Sequence, residues 1–318
     1  MFFSKEIRDE ITDIKIYDDN EIIALLSGVF MFCGSVVIKG NGKLSFQINT
    51  ESITVAKKVS LLFKKMFSIT LELYQKNNYN FNKEKIYTLE YTQTLNEISN
   101  ILKKIFVLNE DSSGVISIRS DIDEIITKNE NAVKSFLRGA YMMSGSIADP
   151  EKSYHLEFIS HDFTFSQNFS ALLNESNIKS NITQRKESFI IYIKESESIS
   201  DLLNLIGAHK SMFKFEDIRI KKQVRNNINR IVNCETANLS KIAKTYVRQK
   251  KAIQYILNKK GLSFLPNELR QIAILRLENE DDSLKELGEK LPNPVSKSVV
   301  NRRLSKIEKI AQQIYEEE

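Results

Sequence analysis

The chain has no tryptophan, and only three histidines, two cysteines, four prolines and ten glycines among 318 residues. Cys33 and Cys234 lie too far apart in the sequence to found a framework of bridges, which excludes a disulfide-stapled miniprotein and makes a reducing cytoplasm the expected compartment. No apolar run approaches the roughly 20 residues a membrane helix needs, so no membrane partner is expected. The start, Met1-Phe2-Phe3-Ser4-Lys5-Glu6, brings an acid early and lacks the apolar core of a signal peptide. His155, His161 and His209 have no second His or Cys at metal-ligand spacing. No GxGxxG, Walker or GxSxG motif is present; Gly40-Asn41-Gly42 reads as a hairpin turn rather than a phosphate cradle. No catalytic residue, cofactor or resident metal is expected. What remains is 42% apolar and 27% charged, a soluble globular composition for two domains or three. Abundant Ile, Lys and Asn fit an A/T-rich genome.

Charge is unevenly placed. Residues 213–318 hold 22 basic and 14 acidic side chains, whereas residues 1–212 hold 24 and 27. From Ile218 to Lys260 there are 12 basic residues and one acid, Glu235. A basic stretch beside a mildly acidic partner fits a polyanion-binding C-terminal part. Charge alone leaves a solvated helix face equally open.

The first two hundred residues read as one unit written twice. Residues 21–34 are Glu-Ile-Ile-Ala-Leu-Leu-Ser-Gly-Val-Phe-Met-Phe-Cys-Gly; residues 132–145 are Ala-Val-Lys-Ser-Phe-Leu-Arg-Gly-Ala-Tyr-Met-Met-Ser-Gly. Each is an apolar helix with an internal glycine, Gly28 or Gly139, and a terminal Gly-Ser pair, Gly34-Ser35 or Gly145-Ser146. The terminal glycines suit a left-handed C′ position. An internal glycine costs about 1 kcal/mol against alanine, so two in the same register point to close helix–helix approach. Period switching after each helix predicts αββαββα in both halves. In the first half it gives a turn at 39–42, strands near 44–48, 69–74 and 86–91, and helices over 55–67 and 95–106. In the second it gives a turn at Asp149-Pro150, strands near 154–159, 178–184 and 189–193, and helices over 163–174 and 199–206, with Asp162 or Ser160 as a cap. The repeat implies a pseudo-two-fold arrangement.

This pattern resembles the two-repeat LAGLIDADG homing-endonuclease fold, which packs its two motif helices at a pseudo-dyad and forms a saddle from two four-stranded sheets. The resemblance implies an acidic metal ligand just before the final glycine of each motif in active members. Here those positions are Cys33 and Ser144, neither a useful Mg²⁺ ligand. Asp149 lies beyond the helix and has no counterpart in the first repeat. No nuclease activity is expected.

The C-terminal third carries a sharper pattern. In residues 218–238, Val224, Ile228 and Ile231 fall at i, i+4, i+7 beside a polar row of Arg225, Asn229 and Asn233, an amphipathic helix whose wet side is Arg and Asn. Phosphate contact and docking onto the first domain are equally open for it. A second helix is expected from near Leu239 to Lys259, stopped by Gly261. Residues 265–314 then read as a helix-turn-helix. Pro266 opens a helix. Ser283-Leu284-Lys285-Glu286 is a capping box that leads Leu284, Leu287 and Leu291 inward. Pro292-Asn293-Pro294 forbids continuation, and Ser296 caps a last helix. There Val300, Leu304, Ile307, Ala311 and Ile314 form a buried stripe, with Ser298, Arg302, Ser305 and Lys309 opposite, and Asn301 and Lys306 on the flanks. Such a face fits a major groove: Arg302 pairs with guanine, Asn301 with adenine, and Lys306 and Lys309 reach phosphates. Ser296 and Lys297 join this set at the helix start. An ordinary helical bundle with a solvated basic face is the bland alternative.

The string from Asn233-Cys234-Glu235-Thr236-Ala237-Asn238 through Leu265-Pro266, Ser283-Leu284-Lys285-Glu286-Leu287-Gly288 and Pro294-Val295-Ser296-Lys297-Ser298 to Asn301-Arg302-Arg303-Leu304 resembles the bacterial WhiA family over essentially the whole chain. That resemblance implies a degenerate LAGLIDADG-like domain joined to a helix-turn-helix similar to region 4 of sigma factors. It also implies a DNA-binding regulator linked to sporulation, cell division or chromosome segregation. The expected fold is α+β: residues 1–212 a degenerate LAGLIDADG-like domain, 213–238 a basic linker helix, 239–318 an all-α helix-turn-helix domain. The expected partners are double-stranded DNA, contacted also by Lys221, Lys222, Arg225, Arg230, Lys250 and Lys251, and RNA polymerase or another transcription or division protein. The protein is expected to be monomeric and nucleoid-associated. A protein-interaction module of the division machinery with secondary DNA binding is the rival reading; a nuclease with unconventional ligands is another.

Overall fold

The computed structural model describes residues 2–40, 43–77, 85–112 and 114–317. It divides into two compact units, Met1–Lys222 and Gln223–Glu318. In the first, α1 (Phe2–Asp13) leads into α2 (Asp19–Cys33), β1 (Gly34–Ile38), β2 (Lys43–Thr50), α3 (Ile53–Phe67), β3 (Glu72–Asn77), β4 (Lys85–Thr94) and α4 (Leu95–Lys104). A hairpin of β5 (Leu108–Glu110) and β6 (Ile116–Ile118) and the short α5 (Glu124–Thr127) connect to the second repeat. That repeat is α6 (Glu130–Ser144), β7 (Ser146–Ile147), β8 (Leu156–Ser160), α7 (Phe163–Glu175), β9 (Asn181–Arg185), β10 (Ser188–Ile193) and α8 (Ser196–Leu205). The two four-stranded antiparallel sheets have the same order, β1-β2-β4-β3 and β7-β8-β10-β9. The doubled αββαββα plan holds. Asn41 and Gly42 of the expected turn lie outside the described residues, while the Lys39 amide donates to the Lys43 carbonyl at 2.9 Å.

The internal glycines do what their register predicts. A Cβ on Gly28 would sit 2.3 Å from the Phe136 carbonyl oxygen, and one on Gly139 would sit 2.2 Å from that of Leu25. Helices α2 and α6 therefore meet backbone to backbone, each through the other's glycine. Around this contact lies one core in which the ring of Phe32 meets those of Phe165 and Phe169 at 5.1 and 4.9 Å.

The terminal glycines depart from the expected left-handed C′. Gly34 has φ −83° and ψ 151°, and Gly145 has φ −67° and ψ 130°. Both pass directly into a strand. The aromatic ring four residues earlier folds over each one: a Cβ would lie 2.4 Å from the Phe30 ring or 2.5 Å from that of Tyr141. Space, rather than handedness, requires glycine here. Left-handed residues instead follow α3, α4 and α7, at Ser68, Phe106 and Asn177. After Asn177 the Ile178 amide reaches back to Leu173 at 2.9 Å, so buried Ile178 closes a helix and the strand starts only at Asn181.

The expected break near Leu239 is absent. One helix, α9, runs His209–Lys260 for 52 residues. It contains neither glycine nor proline and stops where Gly261 takes φ +73°. After a 3₁₀ turn at Leu262–Phe264 come α10 (Asn267–Glu278), α11 (Leu284–Glu289) and α12 (Lys297–Glu316). Val224, Ile228 and Ile231 are not buried: each is more than half exposed.

Candidate nucleic-acid interface

The helix-turn-helix is built from α10, α11 and α12, packed on the end of α9. Its core joins Ile253 and Ile256 of α9 to Leu269, Ile272, Leu287, Leu291, Val300, Leu304 and Ile307. Ser283 accepts from the Glu286 amide at 3.3 Å, while the Glu286 carboxylate accepts from the Ser283 amide at 2.7 Å, the reciprocal capping box. The turn into α12 closes over Gly288, where a Cβ would lie 2.3 Å from the Val295 carbonyl oxygen. Leu284 is only half-buried, at the edge of that core.

Arg276 was not singled out by sequence and proves to be the largest fully buried side chain. Its Nε donates to Gln249 Oε1 at 2.9 Å, Nη1 donates to the Asp282 carbonyl at 2.7 Å, and the guanidinium lies 5.0 Å from the centre of the Tyr246 ring. It ties α9 to the loop before α11. No periodicity argument finds it, because Arg at a buried position reads as a solvent residue.

On α12 the apolar stripe is buried as expected: Val300, Leu304, Ile307, Ala311 and Ile314 are all closed to solvent. Ser296, Lys297, Ser298, Asn301, Arg302, Lys306 and Lys309 are exposed and Ser305 half-exposed. Two neighbouring cations serve the fold: Arg303 pairs with Glu268 of α10 at 2.9 Å, and Glu308 receives Arg248 of α9 at 2.9 Å. By contrast Lys297, Asn301, Arg302, Lys306 and Lys309 make no side-chain hydrogen bond or ion pair with the described residues. Ser296 occupies the cap position with extended dihedrals but caps nothing; its hydroxyl pairs with that of Ser298 at 2.8 Å.

Along α9, Lys221, Arg225, Arg230 and Lys251 are exposed and unpaired among the described residues. Lys250 sits over the Tyr246 ring at 5.2 Å. Lys222 is engaged within the first unit, donating to the Pro150 carbonyl at 3.0 Å and lying over Tyr154 at 4.4 Å.

At the two degenerate motif positions the donors do not fit a hard divalent cation. Cys33 ends α2 with its thiol 3.8 Å from the Met143 carbonyl, and burial pushes its pKa up to about 11, so it stays a neutral thiol. Ser144 ends α6 with its hydroxyl spent on β8, donating to the Ile159 carbonyl at 2.8 Å and accepting from the Ile159 amide at 2.6 Å. Next to them the Arg8 guanidinium donates to the Gly145 carbonyl at 3.1 Å and acts electrostatically on Cys33. Of the histidines, His155 stacks on Tyr192 at 5.8 Å, and His161 Nδ1 lies 3.3 Å from the Ser188 hydroxyl. Asp162 caps α7 through the Phe165 amide at 2.8 Å.

Two LAGLIDADG-like repeats with Cys33 and Ser144 at their motif ends, followed by a helix-turn-helix, define a LAGLIDADG-like scaffold fused to a DNA-binding type of module. The WhiA N-terminal LAGLIDADG-like domain family matches residues 19–108, the WhiA LAGLIDADG-like domain residues 133–225, and the WhiA C-terminal HTH domain residues 228–311. A relative named probable cell division protein WhiA, from Clostridium acetobutylicum, is 44% identical over 318 residues, covering 100% of this chain and 99% of its own. One of the same name from a Thermoanaerobacter species is 42% identical over 316 residues, with 99% of each chain covered. The crystal structure of full-length DUF199/WhiA from Thermatoga maritima superposes with a TM-score of 0.58 at 25% identity, covering 97% of each chain. The chain belongs to the WhiA family.

Proposed function

We propose that this protein is a sequence-specific DNA-binding regulator of transcription, serving cell division and chromosome segregation, that does not cut DNA. The observation that carries the reading is the α12 face, where exposed Ser298, Asn301, Arg302, Lys306 and Lys309 lie opposite a buried stripe and all but Ser298, which pairs with the Ser296 hydroxyl, have no side-chain partner among the described residues. Arg302 supplies a planar fork for a guanine edge and Asn301 an amide for adenine. Lys297, Lys306 and Lys309, with Lys221, Arg225, Arg230 and Lys251 of α9, meet phosphates. The names of its relatives supply the division role. The first unit serves as a platform for RNA polymerase or another transcription or division protein, and the protein works at the nucleoid. The lost donor pair at Cys33 and Ser144 supports a non-cutting scaffold.

Chromatin mapping identifies the bound sites, and gel-shift titration with one such site and a scrambled control tests the reading. Preference for the mapped site that disappears in Arg302→Ala supports it; equal affinity for both duplexes by the unaltered protein overturns it. Incubation with plasmid and Mg²⁺, against a chelator control, checks that no strand is cut.

A further inference from the structure

The middle of α9 is the least supported helix in the molecule. Every residue from Gln223 to Lys241 is exposed. Helices in proteins take most of their stability from a packed face, and this stretch has none. Its residues are also poor helix formers: Asn226, Asn227, Asn229, Asn233 and Asn238, β-branched Val224, Ile228, Ile231, Val232 and Thr236, and Cys234. Its single acid, Glu235, has an apolar neighbour at both four-residue spacings, Ile231 and Leu239, so no ion pair props the helix from within. Both ends, however, are clamped. Upstream, Phe215 is buried and the Ser211 amide and hydroxyl donate to Glu10 at 3.0 and 2.7 Å. Downstream, Tyr246, Gln249, Ile253 and Ile256 are buried.

Helical geometry brings three of this segment's cations and two of its amides onto one face. Asn226, Arg230, Asn233, Lys241 and Lys244 fall within an arc of about 80° at 100° per residue, opposite Val224, Ile228 and Leu239. Arg230, Lys241 and Lys244 have no side-chain partner among the described residues. Three free cations interleaved with amides suit a row of phosphates: cations neutralise, and amides donate to ester oxygens.

We infer that the Asn226–Arg230–Asn233–Lys241–Lys244 face is a second, sequence-independent binding site for duplex-DNA phosphates, and that residues 223–241 exchange between coil and helix in the free protein and become fixed as helix when that site is filled. This rests on the reading of the chain as a duplex-DNA binder. The binding free energy of the site is spent partly on folding the helix, so improving helix propensity away from the face tightens binding without adding a contact.

Hydrogen exchange on the full chain, with and without a random-sequence duplex of about 30 base pairs at about 50 mM salt, tests it. In the free protein, amides of 225–240 exchange at least about tenfold faster than those of 211–220 and 249–257, and the duplex slows them about tenfold. Protection of 225–240 equal to that of the flanks without DNA overturns the inference. So does an unchanged pattern under conditions where a gel shift shows the complex. Absence of any complex overturns the DNA reading itself. Two double variants separate contact from folding. Arg230→Gln with Lys241→Gln lowers the slope of log affinity against log salt by about two. Asn227→Ala with Asn238→Ala, off the face, raises protection in the free protein and strengthens binding several-fold; weaker binding by this pair contradicts coupled folding.

Discussion

Both units spend cations inside the fold, but among the described residues the second gathers more unpaired ones on a single helix. In the first, Arg8 serves the Gly145 carbonyl, Arg138 donates to the Ile206 carbonyl at 2.9 Å, Lys58 donates to the Ile14 carbonyl at 2.6 Å, and Arg119 holds Asp121 and Asp123 at 2.7 and 2.6 Å. These charges close loops and helix ends. In the second, Arg276, Arg303 and Arg248 do the same, but Lys297, Arg302, Lys306 and Lys309 are left over on one helix. The number of basic residues is therefore a poor guide to a polyanion site. The informative quantity is how many of them remain without an internal partner on one rigid surface.

That contrast can be broken or sharpened by substitution. The largest effect belongs to the scaffold: Gly139→Ala places a Cβ 2.2 Å from the Leu25 carbonyl oxygen and forces α2 and α6 apart, for an expected loss of about 3 kcal/mol. Urea unfolding of the full chain measures it; a loss below about 1 kcal/mol would mean the helices can separate cheaply. Next comes Arg276→Ala, which leaves Gln249 and the Asp282 carbonyl without their donor and opens a cavity. Its cost is about 2–3 kcal/mol, read as an earlier melting transition of the second unit.

Arg302→Ala should leave that transition in place and cost about 1–3 kcal/mol in affinity for a mapped site, with relaxed selectivity at one base pair. Destabilisation comparable to that of Arg276→Ala would move Arg302 to the structural side of the comparison. Lys309→Ala should be milder and uniform across sequences, reducing the salt slope by about one.

The smallest effect is in the first sheet. Hydrogen bonds from Ser45 and Lys39 hold the Glu90 carboxyl down at about 2. A carboxyl whose pKa is depressed in the folded state contributes stability above the unfolded value of about 4.3 and loses it as pH falls toward 2. Melting temperature should therefore drop across that window, and less steeply in Glu90→Gln. An identical acid limb in both proteins would remove Glu90 from the account.

Much of the fold was legible because it rests on local order. The offset between the two glycine helices, the alternation in β2, β8 and β10 and the stripe of α12 are periodicities, and a side-chain pattern at 3.6 or 2 residues survives into almost any packing. The capping box at Ser283 is equally local, closed over three residues. Helix α1 escaped notice although Phe3, Ile7 and Ile11 are buried at helical spacing. The β5–β6 hairpin has three-residue strands that are mostly exposed, so no pattern announces it. The continuous α9 was misdivided because its composition weakens in the middle, whereas composition sets helix stability and glycine or proline sets helix ends.

The chain's own order of residues thus fixed the doubled repeat, the glycine contact, the missing acids at Cys33 and Ser144 and the solvent face of α12. Folding in three dimensions decided the rest: that Gly34 and Gly145 are needed for the rings above them, that Ser144 is bound into β8, that Arg276 is interior and Arg302 is not, and that the apolar row of α9 has no cover within its own unit. The reason is physical. Periodicity constrains which way a side chain points along its own helix or strand, but whether it finds a partner there depends on elements far away in sequence.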